Sequence, residues 1–273
     1  MYDPPEQKFP GVSNKKRLTF TAKVFINSFT MKPVSRHKNF IDETFILRFV
    51  ISVNVLYFLA SLMFSGAKTN FSLSPLNTLA PSSQSLIYLG ASGTVPVSHF
   101  QQWWSVITAN WLHGSLLHII FNMLAFSQIA PFVAKVYGIH KMFIIYSVTG
   151  IAGFIISCAA GVQLTIGASG AICGLIGATL YFGKSRGGFL GDAVYRQTMG
   201  WVIGIGVLGL LVPNINNWGH GGGLISGIAA GWLLGYNGQR PENMLYQAAG
   251  ILLILITVAL LFWRVFTGLG LLL

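Results

Sequence analysis

Two stretches of the chain nearly repeat each other: LGASGT at Leu89 to Thr94 and IGASGA at Ile166 to Ala171, each holding a serine between small residues, Ser92 and Ser169. A serine hydroxyl becomes a nucleophile when a neighbouring base takes its proton. The local letters match, so the surroundings must decide between the two. Ser92 sits in G-A-S-G-T-V-P, which reads as a turn leading into an extended stretch, in water or at the membrane interface. The nearest base, His99, is itself in loop, and turn chemistry accounts for Ser92. Ser169 follows a short loop and opens a glycine-rich apolar stretch, which places it at a helix N-terminus. Unpaired N–H groups there favour negative charge. Alone, the plain reading of Ser169 is an N-cap serine.

What shifts the balance is the set of histidines. His118 and Asn122 are four apart, so they share a helix face, and both can donate hydrogen bonds. His220 lies in N-N-W-G-H-G-G-G-L-I-S-G, where Gly219, Gly223 and Gly227 recur every fourth residue. Such a stripe lets two helix backbones approach closely. If this helix packs on the one that Ser169 opens, His220 comes within reach of the hydroxyl as its base. Other chemistries lack their residues. There is no H-E-x-x-H, so the zinc-metalloprotease motif is missing. Cys158 and Cys173 lie in apolar runs and imply neither a disulfide framework nor a zinc site. No cofactor and no metal are expected.

These residues need elements to hold them. Of the 273 residues, 53% are hydrophobic and 8% charged, against roughly 25% charged in a soluble domain. So few charges cannot solvate a globule of this size, and an integral membrane protein is expected. Seven apolar stretches approach the roughly 20 residues that cross a bilayer as a helix. They are Phe45 to Phe64, His113 to Val136, Met142 to Gly161, Ser169 to Phe182, Val194 to Val212, Trp218 to Tyr236 and Ala248 to Phe266. The fourth is short and tolerable only if neighbouring helices shield it. Residues 1–43 hold eight of the 17 Lys and Arg and read as a cytoplasmic extension that touches anionic lipid. With that end inside, alternation puts Lys135, Lys141, Lys184, Arg186, Arg196 and Arg240 inside as well, and Lys68 is the one basic residue of the outer segments. Ser169, His113, His118 and His220 then share the outer side. The six acids, Asp3, Glu6, Asp42, Glu43, Asp192 and Glu242, all fall on the cytoplasmic side. That excludes an intramembrane aspartate pair and leaves no carboxylate to orient His220, so nucleophilic chemistry here uses a Ser–His dyad. Residues 65–112 form a long outer loop, in which Trp103 and Trp104 read as an interfacial anchor. Arg264, near the outer end of the seventh span, can snorkel.

The pattern H-G-S-L-L-H-I-I-F-N at 113–122, G-A-S-G at 167–170 and G-H-x-x-G at 219–223 resembles the rhomboid intramembrane serine proteases, in order and spacing, across roughly residues 45–237. The resemblance implies an all-α membrane protein: a rhomboid-like six-helix core over residues 44–240, plus an additional C-terminal transmembrane helix in 241–273. It implies Ser169 as nucleophile and His220 as general base. His118 and Asn122 would stabilise the oxyanion together with the Ser169 N–H, with His113 and Gly167 as structural supports. Two positions depart from the family pattern: Ser105 follows Trp104 where arginine is usual, and Cys173 stands four residues after Ser169 where an aromatic ring often packs on the histidine. The implied function is hydrolysis of peptide bonds in or near transmembrane segments of membrane-protein substrates. The expected host is a bacterial plasma (inner) membrane, with an organelle left open. The lipid bilayer is a partner, nucleic acid is not, and the oligomeric state is open. A catalytically inactive rhomboid-like membrane-protein binder is the alternative, and the intact Ser169 and His220 argue against it. A proton-path transporter is disfavoured by the lack of membrane acids.

Overall fold

The computed structural model describes residues 43–72, 77–236 and 241–269. All but the last residue of the expected basic extension 1–43, and Arg240, lie outside the described residues. The described architecture is all-α apart from one small hairpin. Helix α1 (Glu43–Ser65) leads into a long loop that carries an antiparallel pair, β1 (Asn70–Phe71) and β2 (Thr78–Ala80), and two short helices, α2 (Ser83–Leu89) and α3 (Ser105–Thr108). Six long helices follow: α4 (Leu116–Tyr137), α5 (Ile139–Ala159), α6 (Ser169–Arg186), α7 (Gly188–Leu211), α8 (Asn217–Leu234) and α9 (Met244–Leu269). Among the described residues five helices, α1, α4, α5, α7 and α9, are long and apolar enough to cross a membrane. The chain is an integral, multi-pass membrane protein.

Each of the seven apolar stretches falls on one long helix, with shifted ends. The second helix begins at Leu116 rather than His113, because Ser115 caps it: its Oγ accepts the His118 N–H at 3.3 Å. The connections expected around residues 137–141 and 183–193 shrink to single glycines. Gly138, at φ +102°, separates α4 from α5, and Gly187, at φ +60°, separates α6 from α7. Such backbone angles cost glycine little, so one residue can reverse the chain. Lys184 and Arg186 stay helical in the last turn of α6, where positive charge suits the helix dipole.

Helices α6 and α8, both 18 residues long, are not among the five apolar spans. For α6 the reason is position. Every residue of α6 from Gly170 to Thr179 is buried, and the helix packs against α4, α5, α7 and α8. A helix enclosed by protein needs no lipid-compatible surface. Its contact with α8 is a seam of glycines. A methyl group on Gly223 would collide with the Gly170 carbonyl, and one on Gly227 with the Gly174 carbonyl. On the third side, a methyl on Gly153 of α5 would stand 2.8 Å from the Gly219 carbonyl oxygen. The four-residue glycine spacing therefore brings three backbones together.

The end of the bundle away from Ser169 is tied by two charged residues. Glu242, just before α9, accepts the backbone N–H of His140 (3.2 Å) and of Lys141 (2.9 Å) at the start of α5, and pairs with the His140 ring at 2.8 Å. Burial acts to raise the pKa of this carboxyl, but the hydrogen bonds from His140 and the two backbone N–H groups outweigh it. The carboxyl is held below its ordinary value. Lys141 Nζ donates to the carbonyls of Leu234 (2.7 Å) and Gly235 (3.1 Å), closing the C-terminus of α8. One corner thus joins α5, α8 and α9.

Candidate active site

Ser169 is the first residue of α6, with Ala168 in the cap position. Its hydroxyl is not used as a cap. Instead Ser169 Oγ lies 2.7 Å from Nε2 of His220, within hydrogen-bond distance. Both side chains are half-buried. His220 stands one turn into α8, and Asn216 sets the start of that helix. Its Oδ1 accepts the Gly219 N–H at 2.9 Å and its carbonyl accepts the His220 N–H at 3.1 Å. The Asn216 amide donates to Ser157 Oγ and to Thr165 Oγ1, both at 2.7 Å. One side chain therefore joins the helix bearing His220, the end of α5 and the loop before Ser169. Nothing in the sequence reading singled out Asn216. The signal was an asparagine directly ahead of a glycine-rich helix, a preferred N-cap.

The turn before Ser169 depends on Gly167, at φ +119°, whose N–H donates to the Ala109 carbonyl at 2.9 Å. A methyl group on Gly167 would stand 2.7 Å from His118 Nε2 and 3.9 Å from Ser169 Oγ. His118 thus faces the same small space as the hydroxyl. Its Nδ1 accepts the Gly114 N–H at 3.3 Å, so in the neutral ring Nε2 carries the proton and points a donor there. His113, fully buried, meets His118 edge-on at 5.0 Å between ring centres. Asn122 is buried one turn along α4 and uses one amide hydrogen on the His118 carbonyl at 2.8 Å, which leaves its second hydrogen. His220 Nδ1 is buried and makes no hydrogen bond within the described residues, and Glu242 binds His140 instead. A serine, one imidazole as base, and a donor-bearing second imidazole are the parts of an acyl-transfer site.

Ser92 corrects an expectation. It is fully buried rather than in water or at the interface, and it pairs in both directions with Thr165, at 3.1 and 2.7 Å. Its hydroxyl contacts that of Ser105 at 3.3 Å. The near-repeat of the two G-A-S-G stretches thus separates into a nucleophile candidate and a buried residue that pairs with the loop ahead of it.

A family model described as the rhomboid domain matches residues 100–237, half of the chain. This chain belongs to the rhomboid family. Among its relatives, the rhomboid protease GluP of Bacillus subtilis (strain 168) is 32% identical over 201 residues, which cover 71% of this chain and 38% of that protein. RHOMBOID-like protein 7 of Arabidopsis thaliana is 31% identical over 187 residues, covering 65% and 55% of the two chains. RHOMBOID-like protein 1 of the same plant is 28% identical over 186 residues, covering 62% and 46%. This rhomboid-family chain thus aligns with 38%, 55% and 46% of the length of these three relatives. Its two departures from the family pattern have distinct settings. Ser105 is fully buried, with its hydroxyl 3.3 Å from that of Ser92. Cys173 is buried within α6. Trp103 is exposed, but Trp104 turns inward onto α9, where it meets Trp263 edge-on at 5.1 Å and Arg264 over its face at 4.5 Å. Arg264 therefore folds onto the α1–α4 loop rather than snorkelling.

Proposed function

We propose that this rhomboid-family chain is an intramembrane serine endopeptidase that cleaves membrane-protein substrates in or near their transmembrane segments with a Ser–His dyad. The observation that carries the reading is the 2.7 Å contact between Ser169 Oγ and His220 Nε2. His220 takes the hydroxyl proton as Ser169 Oγ attacks a peptide carbonyl carbon. The oxygen of that carbonyl gains the negative charge, facing the Ser169 backbone N–H, His118 Nε2–H and the free amide hydrogen of Asn122. The imidazolium returns its proton to the departing amine as the C–N bond breaks. His220 then deprotonates a water, which attacks the acyl carbon, and Ser169 leaves reprotonated with a carboxyl product released. His113 and Gly167 support this arrangement, the first by packing on His118 and the second by leaving room for it.

The same reading gives the chain a basic cytoplasmic extension at 1–43, a six-helix catalytic core at 44–240 and an added C-terminal helix at 241–273. The site opens toward the outer side of a bacterial plasma membrane. Cleavage of a model transmembrane substrate in proteoliposomes tests the chemistry. The native protein is expected to cleave, and Ser169→Ala and His220→Ala to abolish cleavage while remaining folded. Cleavage that survives both substitutions removes the dyad. A native protein that binds the substrate without cutting it favours the inactive binder.

A further inference from the structure

Three consecutive backbone carbonyls at the end of α2 are each taken by a side chain from a different helix. Arg264 of α9 donates from Nη2 to the Tyr88 carbonyl. Tyr57 of α1 donates its hydroxyl to the Leu89 carbonyl at 2.7 Å. Thr108 of α3 donates to the Gly90 carbonyl at 2.8 Å. The last carbonyls of a helix have no partners within it, so these donors complete α2. Gly90, at φ +103°, ends the helix, and a methyl group there would collide with Thr108 and stand 2.8 Å from the Trp104 ring. The Arg264 guanidinium also lies 4.5 Å from the centre of the Trp104 ring and 5.2 Å from that of Trp263. Only a planar cation can hydrogen-bond at its edge while its face lies on a ring.

The loop held in this way runs directly to the residues ahead of Ser169. Beyond Gly90, Ser92 pairs with Thr165, while the N–H groups of Thr94 and Val95 donate to the carbonyls of Val162 (2.9 Å) and Gln163 (3.2 Å). Beyond Trp104, helix α3 leads to Ala109, whose carbonyl accepts the Gly167 N–H at 2.9 Å. Both routes out of the Arg264 contact end on residues 162–167.

We propose that Arg264 is a positioning residue of the active site. From the last helix it fixes the end of α2 and the Trp104 ring, and through the α1–α4 loop it fixes the turn that presents Ser169. This rests on the reading of Ser169 as the nucleophile. The full-length protein in lipid bilayers, native and as Arg264→Ala, Arg264→Gln and Arg264→Lys, provides the test. Gln keeps amide donors without charge and guards against an alanine variant that fails to fold. The first readout is amide hydrogen exchange, which needs no catalysis. Residues 90–95 and 162–168 are expected to exchange faster in the Ala and Gln variants, with the interiors of α5 and α6 as protected as in the native protein. The second is cleavage of a model transmembrane peptide. kcat is expected to fall about 10- to 100-fold with KM nearly unchanged, the effect of a small misplacement of reacting groups, and Lys to recover part of it. Native exchange at 90–95 and 162–168 in the variants overturns the proposal. So does an equal rise in exchange across the whole bundle, which would make Arg264 a general support. If the native protein shows no Ser169-dependent cleavage, the proposed activity fails, and the exchange result alone decides whether Arg264 holds this turn.

Discussion

At the scale of single residues, the site turns on two imidazoles with different hydrogen-bond partners. His220 presents Nε2 to a hydroxyl, whereas His118 has its Nδ1 occupied by the Gly114 N–H and so presents a donor. His118→Ala is therefore expected to lower kcat by about 10²- to 10³-fold, the usual loss for one oxyanion donor, with substrate affinity largely kept. Steady-state kinetics that show a KM effect alone would place His118 outside the reacting centre. Gly167 is constrained twice, by φ +119° and by the His118 ring 2.7 Å from where a methyl would stand. Gly167→Ala is expected to cost about 1–3 kcal/mol in backbone strain and to abolish most cleavage, read by thermal melting beside an activity assay. Native activity in that variant would show that the turn is free to relax.

At the scale of elements, the packing of α8 on α6 decides whether the dyad exists. Gly223 touches the Gly170 carbonyl, one residue beyond Ser169 and three beyond His220. Gly223→Val must push the two helices apart. A destabilisation of about 1–3 kcal/mol is expected, as for other overpacked contacts. Activity at a temperature where the variant is still folded should fall far more than the folded fraction does. A variant that loses stability but keeps full specific activity would show that the seam does not set the Ser–His distance. The far corner makes a prediction about pH. The Glu242 carboxyl is held below its ordinary value of 4.5 in the folded chain, so its contribution is fully present above that pH and is lost as pH falls through the lower folded value. Melting of native and Glu242→Gln protein from pH 7 to pH 3 should show a native advantage at neutral pH that disappears in acid. An advantage independent of pH would mean that ionisation of Glu242 does not hold the corner.

At the scale of the whole molecule, the distribution of basic charge makes the proposed orientation testable. Lys184 and Arg186 close α6 at the end opposite Ser169, so the basic side and the candidate site lie at opposite ends of one helix. In a background with Cys158 and Cys173 replaced by alanine, Gln101→Cys should react with a membrane-impermeant maleimide on sealed cells. Ser185→Cys should react only after the cells are opened. The reverse pattern would invert the proposed topology. The same scale explains the α1–α4 loop. Its own Leu86, Leu89, Trp111 and Leu112 are buried in the core, and α9 adds Trp263 and Arg264, which meet Trp104.

The sequence alone determined the class of molecule, the seven helical stretches and the residues with reactive groups. Those properties live in composition, in runs of apolar residues and in residue type, all local in the chain. The glycine stripe at 219, 223 and 227 even announced that α8 would approach another backbone. Helix ends were less legible, because a cap such as Ser115 or a single positive-φ glycine such as Gly138 fixes them to a residue, whereas apolar runs blur over several. The pairing of Ser92 with Thr165, the three-way tie at Asn216 and the seating of Arg264 on Trp104 were decided only by the tertiary structure. Each joins residues 51 or more positions apart in the chain, and no local pattern encodes which distant partner a buried hydroxyl, amide or guanidinium will meet.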